Sequence, residues 1–317
     1  MSVKAAVFCP NPGVDRVYCL GAGLTAGELH RAESVRVCPG SKGANLAIAL
    51  QREGVPVMVF TFSGGGAAET AEKFITDCGA AVVRVPCAAG VRENIKLVEP
   101  DGKSTEINEK GGPICEKEAE ELLSLVKKGG YDALFLCGSL PQGVKNDYFA
   151  TAIAAAKRCG AVTFLDSSGA ALAAGVAAKP DYIKPNAEEL AELTGGKVPK
   201  TRKEAAEIAV KWQKEHPETA VICTLGKEGA VYAGREGVFE AEAKPWETPR
   251  SAVGAGDAFF AGFGAAILHG ATPEKALAAG CATCNSGFAG GADRLARGFG
   301  YAPQTNALAD ENHLRWG

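Results

Sequence analysis

The sequence contains no apolar run of about 18 residues, and its N-terminus lacks a basic, apolar and small-residue succession. We therefore expect no membrane-spanning helix, no secretory signal peptide and no membrane partner. A strong charge of either sign is also missing, because 34 Lys and Arg face 37 Asp and Glu for a formal net charge of -3. Nucleic acid is accordingly not an expected partner.

A disulfide framework is missing as well. The 11 cysteines are scattered singly along the chain, apart from one Cys281-x-x-Cys284 pair. An odd number without a framework indicates reduced thiols and a cytoplasmic protein. A single pair without a second one is a weak signal for zinc, so we interpret these two cysteines as small buried residues on a helix.

Two nucleotide-binding fingerprints are absent. Near Gly254-x-Gly256, Phe259 occupies the place of the third glycine that a dinucleotide-binding turn requires. No Gly-x-x-x-x-Gly-Lys-Ser/Thr loop occurs either. These absences argue against a nicotinamide-dependent dehydrogenase and against a Walker-type nucleotide site. The histidines show neither metal-ligand spacing nor a paired nucleophile; they are His30, His216, His269 and His313.

What the sequence does contain is a repeated strand-then-helix pattern. Strands are predicted at 133–137, 162–166 and 220–224, with helices at 148–158 and 203–215. This pattern predicts an α/β fold with a mostly parallel central sheet flanked by helices. We expect one domain over residues 1–317, because no linker or repeat divides the chain. Polar loop residues should gather at one sheet edge, namely Ser139, Asp166, Asn186 and Gly226.

A second, smaller sheet is predicted from alternating apolar and polar residues. Such strands occur within about 12–38 and 88–110, and an Asp101-Gly102 turn between two of them is a strong hairpin signal. We expect these strands to form a small β-sheet lid over the site.

The stretch 251–263 carries the strongest chemical signal. Small residues lead into an apolar helix predicted from about Ala255 to Leu268, where Gly254 and Gly256 leave backbone N–H groups uncovered. Such a helix start suits a phosphate. Asp257, in the first turn, either stabilises the helix start or orients an attacking hydroxyl and takes its proton. The helix dipole is expected to lower the pKa of Asp257.

Three further positions have both a functional and an ordinary interpretation. Asp15 follows the first strand, where it can accept bonds from sugar hydroxyls or simply form a turn. Lys42 lies in a glycine-containing loop, predicted to precede a helix over 46–54, and is either an anion ligand or a solvated side chain. Arg92 suits a phosphate, or pairs with a nearby glutamate on the surface.

Taken together, these segments resemble the ribokinase-like sugar kinases of the phosphofructokinase B family, over nearly the whole chain. The resemblance rests on Asn11-Pro12-Gly13-Val14-Asp15, Pro185-Asn186-x-x-Glu189, Thr224-Leu225-Gly226-x-x-Gly229 and Gly254-Ala255-Gly256-Asp257. Arg92-Glu93-Asn94, Thr105-Glu106-Ile107-Asn108 and Gly138-Ser139-Leu140-Pro141 resemble the branch with 1-phosphofructokinase and tagatose-6-phosphate kinase. The resemblance implies a ribokinase-like three-layer sandwich.

The resemblance also implies residue roles. Catalysis would involve Asp257 together with the backbone amides of Gly254, Ala255 and Gly256. The sugar and its existing phosphate would be bound by Asp15, Gly40, Lys42, Asn45, Arg92 and Ser139. ATP would be bound by Lys184, Asn186, Thr224, Gly226, Gly229 and Asn285. Mg²⁺ would be held by Asn186 and Glu189, largely through water.

The implied reaction is phosphorylation of a phosphorylated ketohexose by ATP, with fructose 1-phosphate to fructose 1,6-bisphosphate as the best match. Tagatose 6-phosphate, fructose 6-phosphate, and an unphosphorylated sugar or nucleoside remain alternatives, as does a non-catalytic phosphosugar sensor. Ser41 and Val91 depart from the usual pattern, as does the 61–67 segment, and these departures bear on the substrate. The resemblance also implies a homodimer formed through the lid.

Overall fold

The computed structural model describes residues 3–243 and 254–285 of the chain. Residues 251–253 of the predicted motif lie outside the described residues. The strands are β1 (Ala5–Cys9), β2 (Gly13–Leu20), β3 (Ala32–Pro39), β4 (Val57–Ser63), β5 (Ala81–Pro86), β6 (Arg92–Val98), β7 (Ser104–Asn108), β8 (Ala133–Cys137), β9 (Val162–Asp166), β10 (Tyr182–Ile183), β11 (Ala220–Thr224), β12 (Ala230–Gly234) and β13 (Gly237–Ala241). The helices are α1 (Lys42–Arg52), α2 (Ala68–Asp77), α3 (Glu116–Lys127), α4 (Tyr148–Arg158), α5 (Gly169–Val176), α6 (Ala187–Thr194), α7 (Arg202–Glu215), α8 (Ala255–Leu268) and α9 (Pro273–Asn285).

Within the described ranges, the central sheet has nine strands in the order β13-β12-β11-β10-β9-β8-β1-β4-β5. All neighbours from β11 to β5 are parallel, whereas β12 and β13 add antiparallel pairs at one edge. Parallel strands run in the same direction, so their carboxyl ends meet at one edge of the sheet, where the predicted polar loops follow them.

Two hydrophobic layers cover the two faces of this sheet. The side chains of β8 alternate between the layers: Leu134 and Leu136 face α3–α7, whereas Phe135 faces α1, α2, α8 and α9. Phe135 stacks on Phe164 with ring centroids 4.3 Å apart, and Phe260 of α8 meets both rings edge-on at 5.8 Å. This aromatic contact fixes α8 against the sheet, and with it the carboxylate that α8 carries.

The lid is a separate four-stranded sheet in the order β3-β2-β6-β7. β2 pairs with β3 in antiparallel fashion and with β6 in parallel fashion, and β6 and β7 form the predicted antiparallel hairpin. The predicted α/β class with a small additional sheet is therefore confirmed.

One helix start was predicted wrongly. The loop around Lys42 was expected to continue to residue 45, but α1 begins at Lys42 itself. Ser41 is the N-cap, and its side chain accepts a hydrogen bond from the Ala44 amide. Gly43 is helical and lacks a side chain for a packing reason, because an added Cβ would lie 2.3 Å from the Cβ of Cys9. Lys42 and Asn45 therefore project from the first turn of a helix, not from a loop.

Candidate active site

The first turn of α8 holds a buried carboxylate. Gly254 caps the helix with φ of 78°, a left-handed conformation that glycine adopts without strain. Asp257 is only 8 % exposed, and its Oδ2 accepts a hydrogen bond of 2.9 Å from the Asn45 amide nitrogen. The helix bounds match the prediction. The first turns of α1 and α8 thus meet at Asp257.

The prediction of a lowered pKa for Asp257 is wrong. Burial raises the pKa of this carboxyl to about 6, and the nearby negative charge of Asp166 raises it further. The pKa of Asp257 is lowered by the charge of Lys42, by the hydrogen bond from Asn45 and by the charge of Lys184, but these effects are smaller than the two that raise it. Loss of water around the ionised form therefore outweighs the charges and dipoles that favour it. The raised pKa makes Asp257 a stronger base than an ordinary aspartate.

A buried ion triad lies beside Asp257. Asp166, at the end of β9, is 1 % exposed and receives Lys42 Nζ at 2.7 Å and Lys184 Nζ at 3.0 Å. Burial alone would raise the pKa of Asp166, but the two lysines, Lys184 first, hold it below its ordinary value. Burial would also lower the pKa of Lys42, yet Asp166 keeps it above its usual range. Lys42 is therefore charged at neutral pH.

The other end of the site is built by the lid and by Gly40. Asn94 donates to Asp15 Oδ1 at 2.8 Å and to the Gly40 carbonyl at 3.2 Å. Arg92 donates to the same carbonyl at 3.2 Å, and its Nε is buried without a hydrogen-bond partner among the described residues. An added Cβ at Gly40 would lie 2.5 Å from Asp15 Oδ1. Only glycine therefore fits at position 40 without displacing Asp15.

These groups line one cavity of about 470 Å³, which reaches from the lid to α8. The predicted site residues along it are Asp15, Gly40, Lys42, Asn45, Arg92, Lys184, Asn186, Glu189, Thr224, Gly254, Gly256 and Asp257. An adjoining cleft of about 480 Å³ has apolar walls that include Leu225 and Phe259. The predicted residues along the cleft are Asn186, Thr224, Gly226, Gly229, Ala255 and Gly256. The two spaces meet at Asn186, Thr224 and Gly256.

One predicted position is not brought into these spaces, and another lies partly outside the described residues. Ser139 is not among the residues that line either cavity, and its hydroxyl accepts a hydrogen bond of 2.9 Å from Asn11. Asn285 ends α9, and its side chain lies outside the described part of the structure. The predicted helical position of Cys281 and Cys284 agrees with their place on α9; Cys281 is buried, Cys284 is only partly buried, and both thiols are free.

Asn186 and Glu189 form a reciprocal cap at the start of α6. Asn186 Oδ1 accepts from the Glu189 amide at 2.8 Å, and Glu189 Oε2 accepts from the Asn186 amide at 2.9 Å. Each side chain keeps oxygen lone pairs that can face the cavity. Among the described residues, no cluster of three or more His, Cys, Asp or Glu could hold a metal. The donor set fits a hydrated Mg²⁺, which takes few protein oxygens and keeps several waters.

Sequence reasoning missed four residues of the lid wall. The cavity of about 470 Å³ is also lined by Asn94, Lys96, Glu106 and Asn108. The available signal was strand alternation, because Arg92, Asn94 and Lys96 recur at every second position of β6 and so share one face. Of these three residues, only Arg92 was assigned a role from the sequence.

Fold and site together define a phosphoryl-transferring enzyme of the α/β class, with a buried base at a helix start between two joined cavities. The chain belongs to the pfkB family of carbohydrate kinases, whose family model matches residues 15–285. Within the described ranges, the helices are all too short or too polar to cross a membrane.

Named relatives agree with this assignment. The chain is 33% identical over 268 residues to a 1-phosphofructokinase of Haemophilus influenzae, covering 84% of each protein. It is 34% identical over 275 residues to a tagatose-6-phosphate kinase of Staphylococcus epidermidis, covering 84% of this chain and 86% of the relative.

Solved structures agree on the fold. Phosphofructokinase-2 from Escherichia coli in complex with fructose-6-phosphate superimposes with a TM-score of 0.82 over 90% of this chain and 93% of that one. At 23% identity, this likeness establishes the fold alone. The predicted ribokinase-like sandwich is thereby confirmed.

Proposed function

We propose that this protein transfers the γ-phosphoryl group of ATP to a phosphorylated ketohexose, converting fructose 1-phosphate to fructose 1,6-bisphosphate. The observation that carries the proposal is the single cavity lined by Asp15, Arg92 and Asp257. It offers a carboxylate for sugar hydroxyls, a cation for an existing phosphate, and a base for the reacting hydroxyl. The relatives named for phosphorylated ketoses support the same substrate class.

In this proposal Asp257 orients the acceptor hydroxyl and takes up its proton as the phosphoryl group arrives. The amides at Gly254, Ala255 and Gly256 point from the helix start toward that group and stabilise its charge. Lys42 is paired with Asp166 and lies close to Asp257. It therefore supplies positive charge where the phosphoryl group is transferred, and not at the phosphate that the sugar already carries. The reaction thus depends mainly on positioning and electrostatics.

ATP is assigned to the cleft that contains Thr224, Gly226 and Gly229, whose apolar walls suit a base. Its phosphates would extend past Gly256 toward Lys184. Asn186 and Glu189 would hold Mg²⁺ mainly through water, and the ion would neutralise phosphate charge.

The test is an ADP-coupled assay of the purified protein over a panel of sugars and sugar phosphates. We expect the highest kcat/KM with fructose 1-phosphate. The Staphylococcus relative makes tagatose 6-phosphate the second candidate, and fructose 6-phosphate completes the panel. ADP release with none of the phosphorylated ketoses, but with an unphosphorylated sugar or nucleoside, would contradict the proposal, and no ADP release at all would favour a sensor.

The raised pKa of Asp257 gives an expected pH dependence. Because the ionised carboxylate accepts the proton, kcat/KM should fall as pH decreases through about 6. Well below that value the fall should approach about tenfold per pH unit. Initial rates measured between about pH 5 and pH 8 follow this fall. Doubling the coupling enzymes serves as the control. Rates that stay nearly constant down to about pH 5, as a carboxyl with the ordinary pKa of 3.8 would give, would contradict the assignment.

Arg92→Ala should raise KM for the sugar phosphate by about tenfold or more, because a charge-assisted bond to phosphate is lost. KM for ATP should stay within about twofold, since Arg92 lines the cavity on the lid side and not the nucleotide cleft. Steady-state kinetics with each substrate varied in turn measure both constants. Arg84→Ala is the matched control, because Arg84 is a surface arginine paired with Glu72. If KM for an unphosphorylated sugar rose by the same factor, Arg92 would not act on the phosphate.

We also propose that residues 1–317 form one domain and that two chains associate through the lid. The domain proposal is supported by contacts of α8 and α9 with the same sheet that β1 joins. The lid proposal is supported by its outer face, where Val37, Arg16, Ile95 and Ile107 form a row across the four strands. Val37 is 41 % exposed and Ile107 is 58 % exposed, which leaves apolar surface for a second copy.

A further inference from the structure

The inner wall of the lid carries a second cation besides Arg92. We propose that Lys96 binds the phosphate that the sugar substrate already carries, and that it thereby determines selectivity for phosphorylated sugars. This inference rests on the proposed function and specifies the substrate site within it.

Strand geometry places Lys96 on the cavity wall. Lys96 lies two residues beyond Asn94 on β6, so its side chain points to the same face as Asn94 and Arg92. It lines the cavity together with these two residues. In the neighbouring strand of the lid, Glu106 is its direct cross-strand partner. The wall therefore presents two cations, one on each side of the Asn94 amide.

Burial and bonding leave Lys96 with spare donors. The residue is 9 % exposed, and its Nζ lies 2.8 Å from Asp15 Oδ2 and 3.7 Å from Glu106 Oε1. The first distance is that of a close ion pair within hydrogen-bonding range, whereas the second is too long for a hydrogen bond. An ammonium group has three N–H donors. At least one donor thus remains for a ligand in the cavity, in surroundings where charge-assisted bonds are strong.

The surrounding charges fit a dianionic ligand. Asp15 and Glu106 balance Arg92 and Lys96, so this end of the cavity is neutral before substrate arrives. Asp15 is buried and also held by Asn94, whereas the Glu106 side chain is 41 % exposed and can move into solvent. A phosphate would displace Glu106 from the neighbourhood of Lys96 while Asp15 stays in place. Glu106 is thus a competitor of the phosphate for the same cation.

The first test is Lys96→Met, which keeps the length of the side chain but removes its charge. KM for fructose 1-phosphate should rise about tenfold, and KM for ATP should change less than about twofold. Inorganic phosphate, used as a competitive inhibitor against the sugar phosphate at saturating ATP, should lose about tenfold in affinity. Lys96→Arg should restore much of the loss. Lys103→Met is the matched control, because Lys103 is a lid lysine whose side chain is 72 % exposed.

The second test is Glu106→Gln, which does not remove any group that the substrate needs. Loss of the competing charge should lower KM for fructose 1-phosphate by about threefold and tighten inorganic phosphate inhibition similarly. This variant keeps the inference testable if Lys96→Met folds poorly, because an exposed Glu-to-Gln change is not expected to affect folding.

Each of the following results would overturn the inference. One is a raised KM in Lys96→Met with unchanged inhibition by inorganic phosphate, because phosphate has no sugar hydroxyls and Lys96 would then only position Asp15. Another is an unchanged or raised KM in Glu106→Gln. The third is a wild-type protein inert toward every sugar phosphate, which would overturn the proposed function as well, whereas an active wild type with unchanged variants overturns this inference alone.

Discussion

Asp257→Asn is expected to reduce kcat by roughly 10²–10⁴-fold, the range usual for a positioned acid or base. The amide keeps the shape and size of the side chain, and it can still bond to Asn45 after rotation. It cannot accept the proton of the attacking hydroxyl, because an amide has no comparable basicity. KM for both substrates should change little, since the proton is accepted only in the transition state and not in the bound ground state. Steady-state ADP release measures both constants.

The matched control for this experiment is Asp147→Asn. Asp147 also stands at a helix start, that of α4, but it is exposed and makes no capping bond with its side chain. Its replacement should leave kcat within about twofold of the wild type. Near-wild-type turnover in Asp257→Asn would mean that Asp257 only stabilises the start of α8.

Asp166→Asn is expected to lower the free energy of unfolding of the ligand-free protein by about 3–5 kcal/mol. The reason is Lys184, which is 5 % exposed and would lose the carboxylate that lies 3.0 Å from its ammonium group. Lys42 loses the same partner but is partly exposed, so water compensates more of its loss. Urea denaturation followed by circular dichroism measures the change.

A surface ion pair provides the comparison. Asp77→Asn removes one partner of the exposed Lys73–Asp77 pair on α2, and this change should cost less than about 1 kcal/mol. If the two variants were equally stable, the buried triad would contribute no more than a solvent-exposed contact. Its role would then be limited to holding the lysines in position.

The regular elements could be predicted wherever the sequence pattern and the packing environment agree. The bounds of β8, β9, β11, α4 and α8 match their predictions because apolar runs of strand or helix length end at clear polar or glycine boundaries. The start of α1 was missed because Gly43 was interpreted as a loop residue. It is helical, and its missing side chain reflects contact with Cys9 on a strand distant in sequence.

The sequence by itself determined the α/β class, the start of α8 and the kinase family, because these depend on local patterns and on motifs of fixed spacing. Only the tertiary structure decided how the charges behave. The pKa of Asp257 is raised, and not lowered, because desolvation and Asp166 outweigh the helix dipole. The structure also decided that Lys96 lies on the cavity wall, since its contact with Asp15 depends on the pairing of two lid strands. Burial and long-range neighbours set such properties, and neither can be measured along a single stretch of chain.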